Sequence, residues 1–188
     1  MLAKKIGQDY LDLIFKMKRD YYEGLCKAGL PPISSTVNFL KYLAEQKESL
    51  GIKIGVCSAA RKIEILANLK HLQIEHLLDI VLSGQEDLLE YSDPEGVNKP
   101  KPYIYTHAMK RLGSSPESTV VIEDSAPGIA ASVSAGCFTI AVPNDYTRQH
   151  DLSHAHMQLQ SFADLSIDDF FKIVGSSGLS HSIHLGKV

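Results

Sequence analysis

The sequence lacks any run of about 20 apolar residues, the length a membrane-spanning helix requires. Its opening residues, MLAKKIGQDYLDL, hold no long apolar stretch, which argues against a signal peptide or membrane anchor. It has no CxxC pair. The three cysteines are Cys26, Cys57 and Cys137, and the last two sit in apolar runs, where a thiol behaves as a small buried hydrophobe. That usage fits a reducing compartment, and a cytoplasmic location is the expectation. A strong charge of one sign is also missing. The formal net charge is −3, so nothing favours nucleic acid, although small basic clusters could serve a single phosphate. No GxGxxG follows a strand, which leaves a dinucleotide-binding domain unsupported. There are no internal repeats.

What remains is an ordinary globular composition. The 188 residues are 44% hydrophobic and 22% charged, enough for one domain or a domain with a small appendage. Ile6, Tyr10, Leu13, Ile14, Met17, Tyr21 and Leu25 recur at helical spacing and predict one helix from about Lys4 to Lys27. Gly29 and Pro31–Pro32 end it. A second helix, capped by Ser35 or Thr36, is expected to run to about Ser49.

From there the pattern is strand, helix, strand, helix. Expected strands are Ile52–Ser58, Asp79–Gly84, Thr119–Asp124 and Cys137–Val142. Helices are expected near Ile63–Leu72, Tyr103–Leu112, Pro127–Ala135 and Ile167–Val174, with a long polar loop over Gln85–Pro102. Such alternation implies βαβ units and a Rossmann-like, doubly wound parallel sheet of the α/β class. In such sheets, ligands sit beyond the carboxyl ends of the strands.

The residues at those ends are Ser58-Ala59-Ala60-Arg61, Ser83-Gly84, Glu123-Asp124-Ser125 and Pro143-Asn144. Ser58 offers a hydroxyl, and the Ala59 and Ala60 amides open a helix, where anions are favoured. Glu123 and Asp124 supply two carboxylates, hard oxygen ligands that suit Mg2+. Lys99, in the proline-stiffened NKPKP, could direct an ammonium group into the cleft. Each piece alone has an ordinary structural explanation: a helix cap, a turn carboxylate, a solvated lysine. The His154/His156 pair could bind metal but is more simply a solvated loop.

Taken in order, VCSAARK, NKPKPYIYTHAMKRLG and VVIEDSAPGIAASVSAG resemble motifs two, three and four of the haloacid dehalogenase superfamily. The resemblance is nearest to the β-phosphoglucomutase-like and phosphoglycolate-phosphatase-like branch, and it covers about Lys4 to Val142. The strings KPxPxxY and EDSxxG carry most of its specificity. It implies Mg2+-dependent phosphoryl transfer on a small phosphorylated metabolite such as a sugar phosphate. Ser58, with the Ala59 and Ala60 amides, would bind the phosphoryl group, and Lys99 would balance its charge and that of the nucleophile. Asp124 would ligate Mg2+, supported by Glu123. Residues 1–32 would be the last part of a helical cap, from which Lys18 or Arg19 could reach a second substrate group. Residues 33–174 would be the core and residues 175–188 a flexible tail.

Members of that superfamily open with an apolar strand ending in DxDGT, whose first Asp attacks phosphorus. Here Asp9 and Asp12 fall in a helical pattern without a preceding strand or a following Gly-Thr. The resemblance puts the missing strand at the sheet centre, so IKIGVCS and TVVIED are expected to face one another across a gap. Each buried amide left unpaired there costs about 1–3 kcal/mol, against a net stability of about 5–15 kcal/mol. The gap therefore has to close, borrow a strand, or be filled by residues upstream. Three readings stay open: an N-terminally truncated phosphatase or phosphomutase without turnover of its own, a pseudoenzyme binding phosphate or a partner, and half of a split enzyme. The first is the leading expectation. Self-association, or a partner chain supplying the strand, follows from the same gap.

Overall fold

The computed structural model describes residues 7–163, 165–176 and 183–185. Helix α1 spans Gln8–Ala28, α2 Ser34–Glu45 and α3 Lys47–Leu50; the core then alternates β1 (Gly55–Ser58), α4 (Lys62–His71), β2 (Ile80–Ser83), α5 (Tyr103–Leu112), β3 (Val120–Glu123), α6 (Ala126–Ser134) and β4 (Phe138–Ala141). A two-residue strand β5 (Met157–Gln158), helix α7 (Ile167–Ser176) and strand β6 (Ile183–Leu185) complete it. No described helix is long and apolar enough to cross a membrane.

The strands form one parallel sheet in the order β2-β1-β6-β3-β4-β5. β1 and β3 are buried at every position, as expected for strands covered on both faces. Their alternation sorts residues into two layers. Val56, Val120 and Ile122 join Leu40, Leu43, Leu69 and Phe170 on one side of the sheet. Cys57 and Val121 join Leu82, Tyr105, Met109 and Cys137 on the other. This is the doubly wound α/β class read from the sequence.

Two expectations need correction, and one strand was not expected. The second helix breaks at Gln46 into α2 and α3, and α2 starts at Ser34 behind Ile33, so neither Ser35 nor Thr36 caps it. The edge strand β5 carries no legible pattern at two residues. The largest difference is at the sheet centre. Ile183–Leu185, within the stretch expected to be a flexible tail, form β6 and lie between β1 and β3, where the gap was expected. Ile183, His184 and Leu185 pair with Val120, Val121 and Ile122, and Leu185 also pairs with Val56. The cost of unpaired amides on two buried strands is what makes this insertion favourable.

Candidate functional site

The chain's strand connections reverse at β6: β1 and β2 lie to one side, β3 to β5 to the other. This is the topological switch point at which open α/β sheets bind ligands. The carboxyl ends of the flanking strands are Ser58 and Glu123, so the fold brings the second and fourth motifs to either side of one centre.

Ser58 is buried, and its Oγ accepts the Ala60 amide at 3.2 Å. The loop after it is pinned from the end of β2: Ser83 Oγ donates to the Ala60 carbonyl at 2.7 Å, and Gln85 Nε2 donates to the Ala59 carbonyl at 2.9 Å. Arg61 closes the loop. Its guanidinium pairs with Glu64 on α4 at 2.6 Å and with Glu23 on α1 at 2.8 Å, and both bonds raise its pKa. Helix α1 is thereby tied to the loop that would receive an anion.

Lys99 crosses the switch point. Its ammonium donates to the Cys57 carbonyl at 3.0 Å on β1 and forms a buried ion pair with Glu123 at the end of β3. The same Glu123 oxygen accepts the Tyr105 hydroxyl, whose ring lies under Lys99 Nζ at 4.8 Å. Burial raises the Tyr105 pKa well above its ordinary value, with the Glu123 charge adding to it. The other Glu123 oxygen accepts the Asp124 amide at 3.2 Å and the Ser125 hydroxyl at 3.3 Å. Glu123 is thus fully engaged by protein groups. Gly128, the glycine of EDSxxG, has no side chain because a Cβ there would run into the Glu123 carboxylate.

Asp124 is different. Oδ2 accepts Asn144 Nδ2 at 2.8 Å, while Oδ1 is buried without a hydrogen-bond partner. An orphaned carboxylate oxygen costs free energy unless a proton donor or cation meets it. Among the described residues no group of three or more His, Cys, Asp or Glu could hold a metal ion. The orphaned Asp124 oxygen beside Glu123 fits a hard cation that keeps water and takes one or two carboxylates, the habit of Mg2+. His156 of the HxH pair is engaged elsewhere: its Nδ1 accepts the Thr139 amide at 3.0 Å.

Ser58, Ala60, Glu123, Asp124 and Asn144 line one cavity of about 270 Å³, closed on the α1 side by Tyr22 and the Leu30–Ile33 segment. Lys18 and Arg19 point away into solvent and do not line it. Asp9 and Asp12 are exposed on α1, with Asp12 accepting Gln8 Nε2 at 2.9 Å, and so take no part in the site. Two further residues, Tyr105 and Asn144, complete the site without a role legible in the sequence. Tyr105 is the tyrosine of KPxPxxY, and Asn144 follows β4 among the strand-end residues, so both signals were present without a role attached.

A family model for haloacid dehalogenase-like hydrolases matches residues 1–142. A haloacid dehalogenase-like hydrolase domain-containing protein of Arabidopsis thaliana is 26% identical over 160 residues, which is 85% of this chain and 48% of that protein. The chain spans about half the length of the curated relatives it matches first. Among solved structures, CbbY from Rhodobacter sphaeroides in complex with phosphate aligns with a TM-score of 0.58 at 27% identity, over 67% of this chain and 54% of that one. β-Phosphoglucomutase from Clostridium difficile aligns with a TM-score of 0.59 at 28% identity, over 73% of this chain and 56% of that one.

Proposed function

The chain belongs to the haloacid dehalogenase-like hydrolase family, and from that premise we propose that its site binds the phosphoryl group of a small phosphorylated metabolite together with Mg2+. A sugar phosphate is the favoured class, in keeping with the names of the phosphomutase it resembles. The observation that carries the proposal is the buried, unpartnered Oδ1 of Asp124 in the same cavity as Ser58.

In this reading the Ser58 hydroxyl and the Ala59 and Ala60 amides, in the loop ahead of the α4 N-cap Arg61, donate to phosphoryl oxygens, the Ala60 amide leaving Ser58 Oγ to do so. Lys99 holds a positive charge at the switch point and offsets the charge gathered there. Asp124 ligates Mg2+ through Oδ1, Asn144 fixes its other oxygen, and Glu123 orients Lys99 and the Asp124 backbone. Bound Mg2+ would supply charge neutralisation to the phosphoryl oxygens. Lys18 keeps its proposed role on a second substrate group only if α1 moves relative to the core.

Phosphoryl transfer through an aspartyl intermediate needs a carboxylate at the carboxyl end of the central strand. Here that strand belongs to SIHLGKV, which contains neither Asp nor Glu. The 188 residues are accordingly proposed to bind without turnover, either as part of a longer phosphatase or phosphomutase or as a phosphate-binding protein. A strand supplied by a partner chain would serve the split-enzyme alternative. A cytoplasmic setting fits the buried free thiols of Cys57 and Cys137, and the net charge of −3 gives no reason to invoke nucleic acid.

Calorimetric titration with inorganic phosphate, with and without Mg2+, tests the binding. Affinity should depend on Mg2+, be lost in Asp124→Ala and be weakened in Lys99→Ala. p-Nitrophenyl phosphate tests the rest. Turnover that Asp124→Ala abolishes but Asp9→Asn and Asp12→Asn leave intact would place the nucleophile elsewhere and overturn the non-catalytic reading.

A further inference from the structure

Of the four strand ends, Ser83-Gly84 at the close of β2 is the one that supplies no described residue to the cavity. It serves the neighbouring loop instead. Three consecutive carbonyls of that loop accept hydrogen bonds from three consecutive residues. The Ser58 carbonyl accepts the Gly84 amide at 2.8 Å, that of Ala59 accepts Gln85 Nε2 at 2.9 Å, and that of Ala60 accepts Ser83 Oγ at 2.7 Å. Gly84 also keeps the turn clear of Asn98, the residue before Lys99, whose Oδ1 a Cβ at Gly84 would strike.

A trans peptide unit is planar, with its C=O and N–H pointing opposite ways. Holding the three carbonyls toward β2 therefore turns the Ala59, Ala60 and Arg61 amides away from it. Two of these amides have partners on that far side: Ala60 N–H donates to Ser58 Oγ at 3.2 Å, and Arg61 N–H to Glu64 Oε2 at 3.1 Å. A unit turned about would present a carbonyl oxygen to the cavity, and its partial negative charge would repel an anion. Ala59 and Ala60 have no side-chain polar group with which to prevent that.

The donors are themselves fixed. Ser83 is wholly buried, and its Oγ accepts the Gln85 amide at 3.2 Å while donating to Ala60. Asp87 accepts the Ser83 amide at 2.6 Å and returns its own amide to the Ser83 carbonyl at 3.0 Å, which closes the turn. Fold stability does not call for the Gln85 bond. Ala59 and Gln85 are both exposed, and water can serve an exposed carbonyl.

We propose that Ser83 and Gln85 are positioning residues for the phosphoryl group, acting by keeping the Ala59 and Ala60 amides aimed at the cavity. This rests on the phosphate-binding reading of the Ser58 loop.

Titration of the intact chain with inorganic phosphate at saturating Mg2+ tests it, in wild type, Gln85→Met and Ser83→Ala. Gln85→Met keeps the length of the side chain and loses the donor. Each variant should bind phosphate about tenfold or more weakly, the loss typical when an outer hydrogen-bond partner of a bound ion's site is removed. The melting temperature of Gln85→Met should match wild type, and Ser83→Thr, which retains the hydroxyl, should recover the affinity lost in Ser83→Ala. An amide readout separates aiming from mere support. At saturating phosphate the Ala59 and Ala60 amide proton resonances should move downfield in wild type and much less in the two variants. Wild-type affinity and wild-type shifts in Gln85→Met and Ser83→Ala overturn the proposal and leave the phosphate site standing. Failure of the wild type to bind phosphate overturns the site reading, and this inference with it.

Discussion

Asn144 Nδ2 donates to Asp124 Oδ2 at 2.8 Å, and that bond leaves the buried Oδ1 as the oxygen available to a cation. In the proposed reading Asn144 would set the direction of a ligand without being one. Removing such an outer partner typically weakens metal binding about 10–100-fold. Asn144→Ala should do this to Mg2+ affinity in the presence of phosphate, with the melting temperature nearly unchanged. Unaltered Mg2+ affinity in the titration would show that Oδ1 is not aimed by Asn144.

The Lys99–Glu123 pair is buried, with side-chain exposures of 9% and 0%, and bridges β1 to β3 through the Cys57 carbonyl. A buried charge stripped of its partner costs about 3–5 kcal/mol. Glu123→Ala should lose about that much stability in urea denaturation. Tyr105→Phe removes only a hydrogen bond to the carboxylate and should cost about 1–3 kcal/mol. The two changes should not add, because both act on one carboxylate. Additive losses would mean that Tyr105 works independently of Glu123.

Much of this site was legible in the sequence because its residues follow strands. Ser58, Glu123 and Asp124 each close an apolar run, and the rule that parallel sheets bind ligands at carboxyl ends then groups them without any contact being known. Lys99 needed the resemblance, since a loop lysine carries no local sign of where its ammonium goes. Tyr105 lies inside KPxPxxY without a legible role: on a helix beside Ile104 and Ala108 a tyrosine reads as core, and it is core, with its hydroxyl turned to Glu123. β6 could not be read. Ile183–Leu185 are three residues among serine, glycine and histidine, too short for a period, and their strand state depends on β1 and β3 offering unpaired edges.

Asp87 gives the fold a pH dependence. Its carboxylate accepts the Ser83 amide at 2.6 Å and the Lys62 ammonium at 2.7 Å, joining the end of β2 to the start of α4. Burial alone would raise its pKa, but the Lys62 and Ser83 bonds outweigh burial and hold it below 3.8. A carboxyl depressed in the folded state contributes stability above its unfolded value and loses it as pH falls through the folded one. Asp87→Asn should therefore be less stable than wild type near neutrality, by on the order of 1 kcal/mol. The difference should hold steady down to about pH 5 and close below the 3.8 reference. Urea midpoints measured across that range check it, and a gap that widens on acidification would refute it.

The strongest test of the architecture lies at the sheet centre. His184 pairs with Val121, and its neighbours pair with Val120, Ile122 and Val56, so β6 is hydrogen-bonded on both sides. Proline cannot donate to a ladder and is excluded from central strands. His184→Pro should remove β6 and expose facing edges on β1 and β3, at about 1–3 kcal/mol for each buried amide left unpaired. Even a few such groups approach the whole stability of a domain. The variant should melt far below wild type or fail to fold, and the Val56 and Val121 amides should lose hydrogen-exchange protection. His184→Val, which keeps the amide and favours strand, should be as stable as wild type or more so. Equal stability of the proline and valine variants would mean that β1 and β3 are held together without the C-terminal strand.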